Sequence, residues 1–202
     1  LPLLGFDLRA KLFPSGSDTD AAYLAEFNAP MVTQPAIFVT ELALGYTLVD
    51  LGVTPSAMAG HSIGEFVAAT LAGVFSEADA LELIATRARL SANEAPEGKM
   101  LSVSIDEATA AEVAATEPDK LWVAVQNAAG RQVIAGEASA IDRAAAALLQ
   151  RGVKSRPLPV NRAYHTPLMS GVQSALARLL ERMQLSAPSV PLCCNRTGGW
   201  LE

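Results

Sequence analysis

Between Met100 and Val160 the spacing of apolar residues changes from one short segment to the next, and this succession constrains the fold more than any other feature of the chain. Met100–Ile105 alternates as a strand does, with neighbouring side chains on opposite faces. Ala108–Ala115 is spaced as a helix. Leu121–Val125 and Gln132–Ala135 are strand-like runs joined by a turn around Gly130. Ser139–Gln150 is an Ala-rich helix ended by Gly152, and Lys154–Val160 is a last strand.

The order β-α-β-β-α-β is the ferredoxin-like pattern. It lies between helical segments, so residues 99–160 read as an inserted subdomain and 1–98 with 161–202 as the α/β core that it interrupts. Upstream, Phe6–Leu12 reads as a short helix ended by Pro14, and Ser15–Asp20 as a polar loop. A strong helix follows Thr33-Gln34-Pro35, with Thr33 as cap and Pro35 in the first turn. Its apolar positions Ile37, Leu44 and Leu48 lead to Leu51, and Gly52 stops it. A short apolar stretch, Ala57–Ala59, precedes Gly60, and Glu65–Ala72 is helical up to Gly73. Ser76 and Asp79 make a capping box for a helix over 77–93, with Leu81, Ile84, Ala85 and Ala88 as its apolar stripe. Downstream, Thr166-Pro167 opens a helix to about Met183 with Leu168, Val172, Leu176, Leu179 and Met183 inward, and Val190–Asn195 is strand-like.

The chain has 202 residues, 50% of them hydrophobic, enough to bury one core with a small subdomain. Its formal charge is -6 and it holds no cluster of Lys and Arg, which argues against nucleic-acid binding. No uninterrupted apolar run suggests a membrane span. The chain starts at Leu1 without Met or a signal-like segment, and its ends read as cut points. The two cysteines are adjacent, Cys193 and Cys194, and give neither a disulfide framework nor zinc-type spacing; a reducing, cytoplasmic setting fits. With only two histidines, a metal site is not expected. An acidic chain can still take an anionic substrate through a local cation, so an inward-facing arginine is the feature to look for.

Gly60-His61-Ser62-Ile63-Gly64 fits G-x-S-x-G between a strand-like stretch and a helix. A serine there sits on a sharp turn with its hydroxyl exposed, and the following N–H, that of Ile63, can help hold an oxyanion at the positive end of a helix. The bare pattern is weak evidence; its strand–turn–helix setting strengthens it. A serine nucleophile needs a base. His61 is badly placed on such an elbow. That leaves His165, although a lone histidine is more often a surface or satisfied core residue. His165 precedes a helix start, which disfavours imidazolium and keeps the ring able to accept a proton. Asp106, Asp119 and Asp142 fall in the insert as caps or solvated turns, so a Ser–His pair without a side-chain acid is expected. Arg87 lies on the apolar side of its helix, unlike Arg89. It either snorkels to the surface or clamps a substrate carboxylate with its fork of donors.

These residues, taken in order, resemble a known family. Gly60-His61-Ser62-Ile63-Gly64-Glu65 is similar to the GHSxGE motif of malonyl-CoA:acyl carrier protein transacylases and polyketide synthase acyltransferase domains. Thr33-Gln34-Pro35, Arg87 and Tyr164-His165 before Pro167-Leu168-Met169 fall where that family has counterparts. Phe6-Asp7-Leu8-Arg9 and Asn195-Arg196-Thr197-Gly198 resemble the modular polyketide version. The resemblance covers essentially the whole chain. It implies an α/β-hydrolase-like core with the ferredoxin-like subdomain inserted. Ser62 would be the nucleophile, and His165 the base, oriented by a backbone carbonyl. Arg87 would bind the malonyl carboxylate beside His61, with Ile63 and Tyr164 at the acyl group. It implies no bound cofactor; malonyl-CoA is the substrate and the phosphopantetheine of an acyl carrier protein is the acceptor. The implied partners are that carrier and, in a modular parent, neighbouring synthase domains.

Malonyl-selective polyketide acyltransferases tend to carry His-Ala-Phe-His before the downstream helix and methylmalonyl ones Tyr-Ala-Ser-His. This chain has Arg162-Ala163-Tyr164-His165, which matches neither. Tyr164 should crowd an α-methyl group, Ile63 is malonyl-like, and Arg162 leaves room for an unusual extender unit. Arg87-Ala88 stands where the family has Arg-Gly. The family's Gly-Gln-Gly oxyanion segment would precede Leu1 and its His-orienting segment would follow Glu202, so residues 1–202 alone are expected to be weakly active or inactive. Two rivals are a serine esterase or thioesterase, which has no need of Arg87, and a docking module that forms no acyl-serine.

Overall fold

The computed structural model describes residues 3–14 and 20–201, which fall into two compact units. One comprises residues 1–92 with 175–202, the other residues 93–174. The polar loop expected at Ser15–Asp20 lies, apart from Asp20, outside the described residues, as do Leu1 and Pro2.

In the first unit α1 (Leu8–Leu12) and α2 (Ala21–Phe27) pack on the long α3 (Pro30–Asp50). Asp20 caps α2 by accepting the Tyr23 N–H at 2.8 Å, and Tyr23 donates its hydroxyl to the Lys11 carbonyl at 2.6 Å. The sequence pattern gave no sign of α2. Helix α3 begins at Pro30, three residues before the expected cap. Proline suits the first helical position because its φ is preset and its missing N–H would be unpaired there. Thr33 is therefore not the cap; its hydroxyl donates back to the Phe27 carbonyl, and Pro35 lies inside the helix.

The buried face of α3 is also corrected. Val32, Ala36, Phe38 and Leu42 are buried, whereas Ile37, Leu44 and Leu48 face outward. The helix is apolar around most of its circumference, so residue spacing alone selected no face. It has the length and apolar composition of a membrane span, yet its N-terminal half packs in a protein core.

Helix α4 (Ile63–Leu71) ends where Gly73 adopts φ +79°. The capping box opens α5 (Glu77–Asn93) as expected: Ser76 Oγ accepts the Asp79 N–H at 3.1 Å and donates to its carboxylate at 2.6 Å. The inward stripe of α5 runs through Ala80, Leu83, Ile84, Ala85 and Ala88; Leu81 is exposed instead. Phe38, Leu42, Ile63, Val67, Ala80 and Ile84 form one core cluster that joins α3, α4 and α5. The strand-like stretches at 57–59 and 190–195 meet as a single parallel bridge, Met58 to Leu192. Its hydrogen bonds run from Met58 N–H to the Pro191 carbonyl (2.8 Å) and from Cys193 N–H to the Met58 carbonyl (2.9 Å). This strand–elbow–helix unit is the α/β-hydrolase-like part of the fold.

The second unit is built on β1 (Lys99–Val103), α6 (Glu107–Ala115), β2 (Leu121–Ala128), β3 (Arg131–Gly136), α7 (Ala138–Gln150) and β4 (Ser155–Pro157). The sheet order β2-β3-β1-β4, antiparallel throughout, is the ferredoxin-like topology expected from the pattern. Leu101, Val103, Leu121 and Ile134 share a cluster with Val113 of α6 and with Ile141 and Leu148 of α7 on one face. Met100, Val133 and Ala135 pack with Ala163 and the segment around Leu158–Leu168 on the other. β3 is buried on both faces as a result, which explains its unbroken apolar core Val133–Ala135. β4 is shorter than expected because Pro157 and Pro159 carry no N–H for a ladder. The helix expected from Thr166 to Met183 is a 3-10 turn at Pro167–Met169 followed by α8 (Ser170–Leu180), with Val172 and Leu179 buried.

Candidate active site

Ser62 stands at the point where the bridge strand turns into α4, with φ 55° and ψ −108°. Only Ser62, Asp119 and His165 among the described non-glycine residues have positive φ, and His165 has φ 60°. Such backbones cost about 1–3 kcal/mol each and persist where the surroundings over-determine them, as at functional sites. The elbow shows how. A Cβ on Gly60 would lie 2.0 Å from the carbonyl carbon and oxygen of Gly64, so only glycine lets the incoming strand touch the outgoing helix. The first turn closes through Gly64 N–H to the His61 carbonyl (3.0 Å) and Glu65 N–H to the Ser62 carbonyl (3.1 Å). Ser62 is half-buried and His61 exposed. The Ile63 side chain is buried in the α3–α4–α5 cluster, so what Ile63 offers a ligand is its backbone N–H at the helix start.

Arg87 is half-buried on α5, one turn from Ile84 of that same cluster, and donates from Nη1 to Oε1 of Gln34 at 2.5 Å. Gln34 is buried on α3. Sequence reasoning assigned it no role, although a glutamine among the apolar positions of a core helix is a signal that something polar must meet it. Arg89 is exposed, as expected. It lines a cleft of about 620 Å³ with Glu82, Arg178 and Arg182 that includes none of the candidate residues.

His61, Ser62, Ile63 and Arg87 thus belong to the first unit, and Tyr164 and His165 to the second. His165 is exposed and Tyr164 half-buried between the buried Ala163 and Thr166. Thr166 locks this turn: its hydroxyl donates to the Ala163 carbonyl at 2.7 Å and accepts the Leu168 N–H at 3.3 Å, capping the 3-10 turn. Arg162 is the more buried arginine, with Nη1 on the Asn161 carbonyl at 2.9 Å. One further polar residue touches the elbow. Asn195 meets both Gly60 and Glu65, and next to it Cys194 has its thiol held below the ordinary range by hydrogen bonds from the backbone of Arg196 and Thr197 and from the Thr197 hydroxyl.

Residues 19–198 match the family model for the acyl transferase domain. The chain belongs to this acyltransferase domain family. It is 34% identical over 198 residues to a phenolphthiocerol/phthiocerol polyketide synthase of Mycobacterium tuberculosis, a match that covers 98% of this chain and 13% of that protein. The acyltransferase domain from the second module of the salinomycin polyketide synthase superposes with a TM-score of 0.86 at 37% identity, over 99% of this chain and 46% of that one. Malonyl CoA-acyl carrier protein transacylase from Burkholderia pseudomallei gives 0.87 at 30% identity, over 100% of this chain and 68% of that enzyme. This acyltransferase chain therefore spans about an eighth of the synthase and under half of the solved polyketide domain.

Proposed function

We propose that residues 1–202 carry the nucleophile, base and carboxylate clamp of an acyltransferase that moves a malonyl-type extender unit from coenzyme A to the phosphopantetheine thiol of an acyl carrier protein. Polyketide biosynthesis, in a cytoplasmic synthase, is the setting. The observation that carries this reading is the left-handed backbone of Ser62 at the start of α4, in the Gly60–Gly64 elbow. Membership of the acyltransferase family and the likeness to a malonyl CoA-acyl carrier protein transacylase support it.

In the first half-reaction His165 takes the Ser62 proton and Oγ attacks the thioester carbonyl. The Ile63 N–H, helped by the positive end of α4, holds the oxyanion. The carbon–sulfur bond breaks, His165 returns the proton to the coenzyme A sulfur, and acyl-Ser62 remains. The carrier thiol gives its proton to His165 and attacks the acyl-Ser62 carbonyl; the ester carbon–oxygen bond breaks, His165 returns the proton to Ser62 Oγ, and the acyl group leaves on the carrier sulfur. Arg87 makes paired hydrogen bonds to the malonyl carboxylate, beside His61, and Tyr164 narrows the space at the α-carbon. The chemistry needs no metal or prosthetic group. Incubation of the intact parent protein with labelled malonyl-CoA tests the reading: label stable to denaturation is expected on wild type and absent from Ser62→Ala. Label retained at the same level on Ser62→Ala removes the nucleophile assignment.

A further inference from the structure

The elbow is gripped from outside by a residue distant in sequence. Asn195 donates its side-chain Nδ2 to the Gly60 carbonyl at 2.5 Å, and its own backbone N–H donates to Oε1 of Glu65 at 3.0 Å. Gly60 is two residues before Ser62 and Glu65 three after, so one residue spans the nucleophile's turn on both sides. Asn195 is itself anchored. Before it, Cys193 N–H donates to the Met58 carbonyl in the parallel bridge. After it, a tight hairpin closes through Cys194 N–H to the Gly199 carbonyl and Gly198 N–H to the Cys194 carbonyl, both 2.8 Å. The backbone ladder of 58 and 192 ends where the chain turns at Ser62, and there the asparagine amide takes the place of a ladder N–H.

We propose that Asn195 is a positioning residue of the acyl-transfer site, fixing the backbone from Gly60 to Glu65 that presents the Ser62 hydroxyl and the Ile63 N–H. The inference rests on Ser62 being the acylated nucleophile. The chemistry of the two contacts explains why asparagine suits the position. The Gly60 carbonyl needs a donor on a short stem, and an aspartate of the same shape would present only acceptor oxygens to it. Glu65, in the first turn of α4, needs only a backbone N–H and is favoured there by the helix dipole. Asn195 acts on the nucleophile and not on the carboxylate clamp, so its loss should slow every acyl donor alike, unlike the loss of Arg87.

The test uses the intact parent protein with Asn195→Asp and Asn195→Ala. Single-turnover acylation of Ser62 is followed with malonyl-CoA and with acetyl-CoA, alongside the end-point fraction of labelled protein and the KM. Acylation should slow by up to about a hundredfold, the order that a small misplacement of reacting groups costs. The slowing should be equal for both donors and larger for Asp than for Ala, with end-point fraction and KM unchanged. A variant that only lowers the fraction of competent protein, or only raises KM, overturns the proposal. So does a wild-type acylation rate in both variants. Should Asn195→Asp not fold, Asn195→Ala decides by the same criteria, since it removes the donor without placing a carboxylate against the carbonyl. If wild type itself forms no acyl-Ser62, the functional reading falls and this one with it; an acylated wild type with unaltered variants removes only the role of Asn195.

Discussion

Arg87 and Ser62 owe their proposed roles to different physics. Ser62 is defined by backbone: a φ of 55° that a serine adopts only under constraint. Arg87 is defined by a half-buried guanidinium held by the buried Gln34. Arg87→Ala should therefore lower kcat/KM for malonyl-CoA about ten- to hundredfold, the equivalent of losing charge-assisted hydrogen bonds of about 1.5–3 kcal/mol. Acetyl transfer, which offers no carboxylate, should be spared. Steady-state kinetics with the two donors checks this, and equal losses would favour a plain serine esterase. At this scale the sequence was informative about residues with distinctive chemistry. The elbow serine, the scarce histidines and the inward arginine could all be named. Asn195 and Gln34 could not be given roles, because their significance lies in contacts with residues far along the chain, Gly60 and Arg87.

The elements show where periodicity succeeds and fails. In the subdomain, strands and helices alternate with clean turn signals, and all six elements and their order were legible. The face of α3 was not: with apolar residues nearly all round, Ile37, Leu44 and Leu48 looked as good as Val32, Phe38 and Leu42, and only packing on α4 decides. The strands flanking the elbow were too short for pattern alone, and each is reduced to one bridge. The elbow makes the sharpest prediction at this level. A methyl group on Gly60 would overlap the Gly64 carbonyl at 2.0 Å, so Gly60→Ala must push the strand from the helix and move Ser62. Acylation of Ser62 should be abolished while the subdomain keeps its fold, as rapid-quench labelling and circular dichroism would show. An active Gly60→Ala variant would mean that the close approach is not needed for function.

At the largest scale the chain forms two compact units, one holding the elbow and Arg87, the other the sheet and the His165 turn. Each has its own core. In the second unit Ile134 is fully buried on the central strand β3, against both subdomain helices. Ile134→Ala should cost about 2–5 kcal/mol of stability, the range for truncating a buried aliphatic side chain. Urea denaturation would read this as a lower midpoint. A shift of only a few tenths of a kcal/mol would show that the subdomain core is not what holds β3.

In the proposed reaction the acyl group passes through Ser62. Peptide mass mapping of the intact parent protein, quenched after brief exposure to malonyl-CoA, tests it most directly, because Cys194 offers a rival nucleophile beside the elbow. One malonyl group, carried on Ser62, is expected. A malonyl group carried instead on Cys193 or Cys194, or no covalent acyl group in an enzyme that turns over, would contradict it.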